Sequence, residues 1–307
     1  MVALVIIYNH RYDANIPILE KIYGERFSNI YHLVPFYDGD KENVIAVYDN
    51  SYYFESYIAQ AYRTLKSFGN FEHYIFVADD LILNTSITEN NYKEEYKIST
   101  EETFYPKFLS LDRRYKDRWL NLQHILYFRI APSGLEVKNE LPGYNEIMKK
   151  FEENDLMIPK LEIKDIYTLP DRKKYGNSIK GLYSYWRKKR EIKKLPKLKN
   201  INLDIPLISG FSDHFVIADS DFKSFAHLCG IFAASRLFVE FAIPTALVIS
   251  CKHKIKTEDN IDKKSVTYWM DDRVEFENKY NLSLNNLLNS FPEGDLFIHP
   301  VKLSKWK

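Results

Sequence analysis

Two adjacent acids follow a run of β-rich apolar residues in the segment His73-Tyr-Ile-Phe-Val-Ala-Asp79-Asp80-Leu. A buried strand that ends in carboxylates delivers them to the edge of an open α/β sheet where ligands bind. Carboxylates so placed can hold Mg²⁺ or Mn²⁺, hard cations that take oxygen ligands and can bridge a diphosphate. The metal would then act as a Lewis acid on a departing phosphate group. The plain alternative for either acid is a helix N-cap or a solvated turn.

Further polar residues have types suited to such a site. Tyr8, Asn9 and Arg11 lie in and after the first apolar run, and Asp49 follows a later one. A Tyr8 ring could stack on a base, and Asp49 could bond a base or ribose; an ordinary polar loop is the competing reading of each. Asp213, on a turn that contains Gly210, and Glu240, in a nearly apolar stretch where burial would raise its pKa, could serve as a base toward an acceptor hydroxyl. Glu240 could instead pair with Arg236 one helical turn earlier, and Asp213 could instead bind the acceptor. His253 could complete a metal shell, although Lys252 and Lys254 beside it favour a solvated histidine. His214 is open to either a site or a core role. Neither GxGxxG nor GxxxxGK[ST] occurs, which disfavours dehydrogenase and P-loop chemistry.

The elements that must position these residues alternate. Strands are expected at Ala3–Tyr8, Ile30–Phe36, Val44–Tyr48 and His73–Ala78, with helices at Ile16–Phe27 and Tyr53–Phe68. This density of strand and helix predicts an α/β domain with a Rossmann-type, parallel or mixed central sheet flanked by helices. Further on, the sequence predicts helices at Trp119–Phe128 and Tyr144–Phe151, a turn and strand over Ile208–Ala218, and a helix near Phe222 capped by Asp221. The inward face of that helix carries Phe225, Cys229, Phe232, Ala233 and Leu237, and the helix stops at Pro244. A strand at Ala246–Cys251 and a late helix over Val274–Leu288 complete the expectations.

Composition narrows the classes. The chain has 307 residues, a net charge of +1 and two cysteines, both in apolar runs. A neutral balance argues against bulk nucleic-acid binding, and the cysteines suit a reducing compartment. The apolar start lacks a basic leader, so a first strand is expected there rather than a signal peptide. His227, Arg236, Glu240 and Pro244 interrupt the longest apolar stretch, so no membrane span is expected. Abundant Tyr (23) and Phe (20) are compatible with ring-lined sugar or nucleotide sites and equally with an aromatic-rich genome. Between Asp171 and Asn200 the balance shifts: twelve Lys or Arg stand against Asp171 and Glu191, with Tyr175, Tyr183, Tyr185 and Trp186 interleaved. The default there is a solvated basic helix. The functional options are an anionic membrane surface or a lipid-linked diphosphate and, less favoured, RNA.

On these motifs the first hundred residues resemble the donor half of GT-A-fold glycosyltransferases, whose strand-end acidic motif of the DxD type binds metal. Here the motif stands as Ala78-Asp79-Asp80, without the spacer. Gly210-Phe-Ser-Asp213-His-Phe and Leu237-Phe-Val-Glu240-Phe-Ala-Ile-Pro resemble stretches of bacterial polysaccharide glycosyltransferases. The resemblance implies a donor half over 1–130, a basic accessory segment over 131–205 that faces acceptor or membrane, and an acceptor-binding half over 206–307. It implies Asp79, Asp80 and His253 at a Mn²⁺ or Mg²⁺ ion, and Tyr8, Asn9, Arg11, Asp49 and Asp79 at the nucleotide-sugar donor, UDP-linked by preference. Asp213 or Glu240 would face a glycan or lipid-linked acceptor. The cysteines, the basic stretch and the neutral charge lead to the expectation of a cytoplasmic protein, peripheral at the inner face of the membrane through residues 172–199, with no nucleic acid as partner. The competing expectations are a metal-dependent nucleotidyl- or phosphotransferase and a non-catalytic carbohydrate- or membrane-binding protein with a degenerate transferase fold.

Overall fold

Strand β1 (Val2–Ile7) is buried along its whole length, and its side chains divide between two cores. Ala3, Val5 and Ile7 join one hydrophobic cluster, while Val2, Leu4, Ile6 and Tyr8 join the other. A strand covered on both faces must carry apolar residues at every position rather than at alternate ones, as this sequence does. The computed structural model describes residues 1–111, 124–125, 128, 135–158, 172–175, 178–194, 203 and 205–307. The helix expected over 119–128 lies almost wholly outside them.

Five strands form the central sheet in the order β3 (Val44–Val47), β2 (Ile30–Pro35), β1, β4 (His73–Ala78) and β8 (His214–Ala218). The first four are parallel, and β8 runs antiparallel to β4 with His73 opposite Ala218. The chain is therefore α/β with a mixed, mostly parallel sheet flanked by helices. On one face lie α2 (Glu55–Ser67), α5 (Asp219–Ala234) and α6 (Val239–Ser250). On the other lie α1 (Asn15–Tyr23) and the C-terminal helices α7 (Met270–Lys279) and α8 (Leu284–Asn289). Between them in sequence come α3 (Tyr144–Glu153) and α4 (Ile179–Lys194).

A second sheet pairs β5 (Ile82–Leu83), β10 (Asp295–His299) and β9 (Lys264–Thr267). Because β5 begins just beyond Asp80, this sheet carries the end of the chain back to the edge of the first. A short ladder joins β6 (Phe108–Leu109) to β7 (Ser209–Gly210). A Cβ on Gly210 would lie 1.9 Å from the Tyr105 hydroxyl, so only glycine lets the backbone pass there on its way to Asp213.

Several elements differ from the sequence expectation. Residues 239–250 form one helix with Pro244 inside it, not a helix stop followed by a strand at 246–251. An internal proline costs about 3 kcal/mol. Burying Ile243, Leu247 and Val248, at about 1.5–3 kcal/mol each, outweighs it. The preceding helix starts at Asp219 with no side-chain cap, and Asp221 lies within its first turn as a buried carboxylate instead of capping it. That helix buries Phe225, Cys229, Phe232 and Ala233 as expected, and Leu237 beyond its end is buried as well. The helix over 274–288 is two helices, parted where Asn281 and Leu282 take positive φ. β10 was not foreseen.

Candidate functional site

The carboxyl ends of the parallel strands form one edge of the main sheet. Order reverses between β1, whose chain leads to β2 on one side, and β4 on the other. Open α/β sheets bind ligands at such a switch point, and Asp79 directly follows β4 there. The Asp79 N–H donates to the Ile7 carbonyl (2.9 Å), continuing the β1–β4 ladder by one residue. Its carboxylate accepts from Asn15 Nδ2 at 2.9 Å and from the Asn9 backbone N–H at 3.4 Å. It is only 2% exposed. Burial, then the neighbouring Asp80 charge, raises its pKa to about 7 against the pull of those hydrogen bonds.

Three further side chains meet beside it. His299 Nε2 lies 3.3 Å from Asp80 Oδ1 and 3.9 Å from Asp213 Oδ1. Asp213 precedes β8, whose antiparallel course puts its first residues at this same edge. Its carbonyl accepts from the Ala78 N–H (2.8 Å). His299 ends β10, and the Val301 N–H, two residues on, donates to the Asp80 carbonyl (2.6 Å). Burial disfavours the imidazolium most strongly, but Asp213, Asp80 and Asp79 together outweigh it and hold the His299 pKa at about 9. Burial also raises Asp213, which His299 partly offsets. Among the described residues, three carboxylates thus face one imidazolium. Asp80 Oδ1 is buried, and the His299 imidazole meets it at 3.3 Å outside ideal hydrogen-bond geometry.

Among the described residues, no group of three or more His, Cys, Asp or Glu side chains is arranged to hold a metal ion alone. An acidic pair does suit the binding mode of Mg²⁺, in which one or two carboxylates share the ion with substrate phosphates. Asp79 and Asp80 are the residues that would hold it.

Exposed rings stand along the same edge. Phe36 and Tyr48, directly after β2 and β3, pack edge to face at 5.9 Å and are 56% and 63% exposed. Phe36 takes a positive φ of 56°, an unfavourable conformation for a bulky residue. Arg11 donates to its carbonyl at 3.0 Å and pairs with Asp13 and Asp38, tying the β1 and β2 loops together. The Trp269 indole meets His299 edge to face at 5.6 Å and is half-exposed.

Asn9, Arg11, Asp49, Asp79, Asp80 and Asp213 all follow the parallel strands or precede β8, so the fold brings them to one edge. Tyr8 does not fit the stacking role: its ring is fully buried and its hydroxyl meets His32 Nδ1 at 2.9 Å. The exposed pair Phe36 and Tyr48 occupies the edge where that role was expected. His253 lies at the other end of the sheet. It pairs with Glu101 at 3.3 Å, and the adjacent Glu102 carbonyl meets His73, the first residue of β4. At about 3.3 Å per residue, that end is roughly 20 Å from Asp79. His214 is a core residue, held between the Phe76 carbonyl and Tyr96 hydroxyl (both 2.9 Å), with burial lowering its pKa to about 4.

The Arg236–Glu240 pair does not form. Arg236 takes φ 57°, and bonds from Arg236 N to Ala233 O and Leu237 N to Phe232 O close α5 in a Schellman turn. Arg236 pairs with Asp49 at 3.3 Å and covers the Tyr53 ring. Glu240 is the one residue of α6 left half-buried, in its first turn. A bond from Ser212 Oγ to the Val239 carbonyl (3.1 Å) ties that turn to the Asp213 loop.

The sequence reading missed His299, Asn15, Phe36, Tyr48 and Trp269. A signal for His299 was present, since Leu296-Phe-Ile-His299 repeats in short form the pattern of an apolar run ending in a polar side chain. No protein-family model matches the chain, and no curated protein matches it.

Proposed function

We propose that this chain is a glycosyltransferase that moves a sugar from a nucleotide-diphosphate donor, UDP-linked by preference, to a bacterial surface glycan or lipid-linked acceptor. The observation that carries the reading is the convergence of Asp79, Asp80, Asp213 and His299 at the switch point of the sheet. Dehydrogenase and P-loop sites use glycine-rich backbone at that place, whereas this edge presents carboxylates. A divalent ion held there with Asp79 and Asp80 would neutralise charge developing on the leaving diphosphate.

The chain's own residues have separable tasks. Asn15 and the Asn9 N–H orient Asp79, and the hydrogen bonds of Arg11 fix the loops that border the nucleotide. Phe36 and Tyr48 present ring faces to the base, with Asp49 beyond them as a polar contact. Asp213, whose raised pKa brings it nearer to working pH, would receive the proton of the acceptor hydroxyl, with Glu240 as the neighbouring candidate. The half-exposed Trp269 offers an apolar face to a sugar ring. No helix among the described residues is long and apolar enough to cross a membrane. The working location we propose is the inner face of the cytoplasmic membrane, reached peripherally.

The test is release of free nucleoside diphosphate from a panel of nucleotide sugars with Mn²⁺, with mixed glycan acceptors added. The expected outcome is acceptor-stimulated release from one donor, reduced about a thousandfold in Asp80→Asn, a loss of the size seen when one preorganised electrostatic contact is removed. Release of a nucleoside monophosphate, with no sugar gained by any acceptor, would point to a phosphotransferase instead.

A further inference from the structure

Within the basic stretch, Ile179–Lys194 form α4. Lys188 is buried, and Ile192, one turn on, packs against the main core cluster. The opposite side faces out. Ile179, Tyr183, Trp186 and Arg190 follow one another at spacings of four, three and four, which places them on a single face of a 3.6-residue helix. The first three are 87%, 68% and 59% exposed.

Buried apolar residues drive folding, so an outward row of Ile, Tyr and Trp calls for a covering surface. The charge pattern identifies its chemistry. Arg190, Lys193 and Lys194 are exposed at the C-terminal end of the same face, and Lys189 Nζ lies 4.8 Å from the Trp186 ring. The helix carries seven Lys or Arg and one acid, Glu191. Rings and aliphatic groups at one end, with cations alongside and no span-length apolar run, are the features of a helix lying in a membrane interface. There the amphipathic rings sit at headgroup level, and the cations face anionic lipid.

We propose that the outward face of α4 docks on an anionic bilayer surface, with Tyr183 and Trp186 entering the headgroup layer and Arg190, Lys193 and Lys194 facing lipid phosphates. This inference does not rest on the reading of the acidic cluster, and it holds or fails without any transfer activity.

The experiment is co-sedimentation of the full chain with phosphatidylcholine vesicles, with and without about 30 mol% phosphatidylglycerol, since anionic lipid supplies the surface potential. Binding should need the anionic lipid and weaken with salt. Each Lys or Arg near such a surface strengthens binding about fivefold, so the triple variant Arg190→Gln/Lys193→Gln/Lys194→Gln should lose about a hundredfold. Tyr183→Ser/Trp186→Ser should release the protein as well, and every changed residue is exposed, so folding measured by circular dichroism should be unaltered. A blue shift of tryptophan emission on binding, absent in a Trp186→Phe variant that still binds, would place that ring in the interface. Equal binding to neutral vesicles would overturn the proposal, as would binding unaffected by both variants. Failure to bind vesicles, together with α4-dependent binding of single-stranded RNA, would overturn it in favour of a nucleic-acid surface.

Discussion

The two ends of the central sheet differ in how closely their carboxylates are gathered and how they are paired. At the amino end of β4, three surface acids are matched with lysines: Glu72 with Lys93 at 2.7 Å, Asp219 with Lys66 at 2.5 Å and Glu102 with Lys256 at 3.3 Å, while Asp221 behind them is buried and raised by that burial. Lysine contacts hold the Glu72 carboxyl below its usual range, and Glu102 is likewise lowered despite partial burial. At the carboxyl end Asp79 and Asp213 are raised, and among the described residues three carboxylates share one histidine. The exposed ion pairs of the amino end contribute little to stability. At the carboxyl end, burial and like charge disfavour the ionised form of Asp79 and Asp213. Functional groups are expected where charge is left unbalanced in a buried place.

That contrast can be sharpened through pH. Asp79 has a folded pKa raised to about 7, so its favourable contribution exists below the unfolded carboxylate value and is lost as pH rises through 7. With a shift of roughly three units, the loss is up to about 4 kcal/mol. Urea denaturation without divalent ions should therefore show wild type losing stability from pH 4 to 8 relative to Asp79→Asn. Glu72→Gln, at the other end, should change stability by less than about 1 kcal/mol, because its ion pair is largely solvated. Equal pH profiles for wild type and Asp79→Asn would erase the difference between the two ends.

A smaller effect is expected at His299. Its pKa is raised to about 9, so its stabilisation is complete below the unfolded value near 6.5 and disappears as pH rises through 9. The His299→Gln variant should be less stable than wild type by up to about 3 kcal/mol at pH 6 and nearly equal to it at pH 10. A constant difference across that range would mean that the imidazolium is not held by the carboxylates.

The smallest expected effect separates ligand contact from folding. Phe36→Ala and Tyr48→Ala should each weaken nucleotide binding by about tenfold, as base–aromatic stacking is worth about 1–3 kcal/mol. Both rings are exposed, so the melting temperature of the free protein should hardly move. Calorimetric titration with UDP and Mn²⁺ checks the first point and thermal melts the second. Unchanged affinity in both variants would remove these rings from the site.

Much of the strand-end geometry is legible in the sequence. β1 to β4 are short β-rich runs, and a run buried on both faces can be recognised without knowing its partners, so Asp79 and Asp80 were placed correctly at a strand end. What escaped depends on distant parts of the chain. His299 reaches Asp80 only because β10 pairs with β5, and a three-residue apolar run near the end of the chain does not announce that pairing. Tyr8 looked available because it follows β1, but side-chain alternation turns it into the second core. The apolar run through Pro244 was ambiguous between helix and strand for a physical reason: burial on every side erases the periodicity that distinguishes them.

The most direct measurement is the melting temperature with UDP, GDP, CDP and ADP, each with and without Mn²⁺, for wild type and Asp80→Ala. Ligand at a hundred times its dissociation constant stabilises the native state by about 2.7 kcal/mol, or roughly 5 °C for a chain of this size. The account predicts such a rise for one nucleotide, only with Mn²⁺, and its loss in the variant. No rise with any nucleotide, or the same rise in Asp80→Ala, would contradict the assignment of the acidic edge as a nucleotide–metal site.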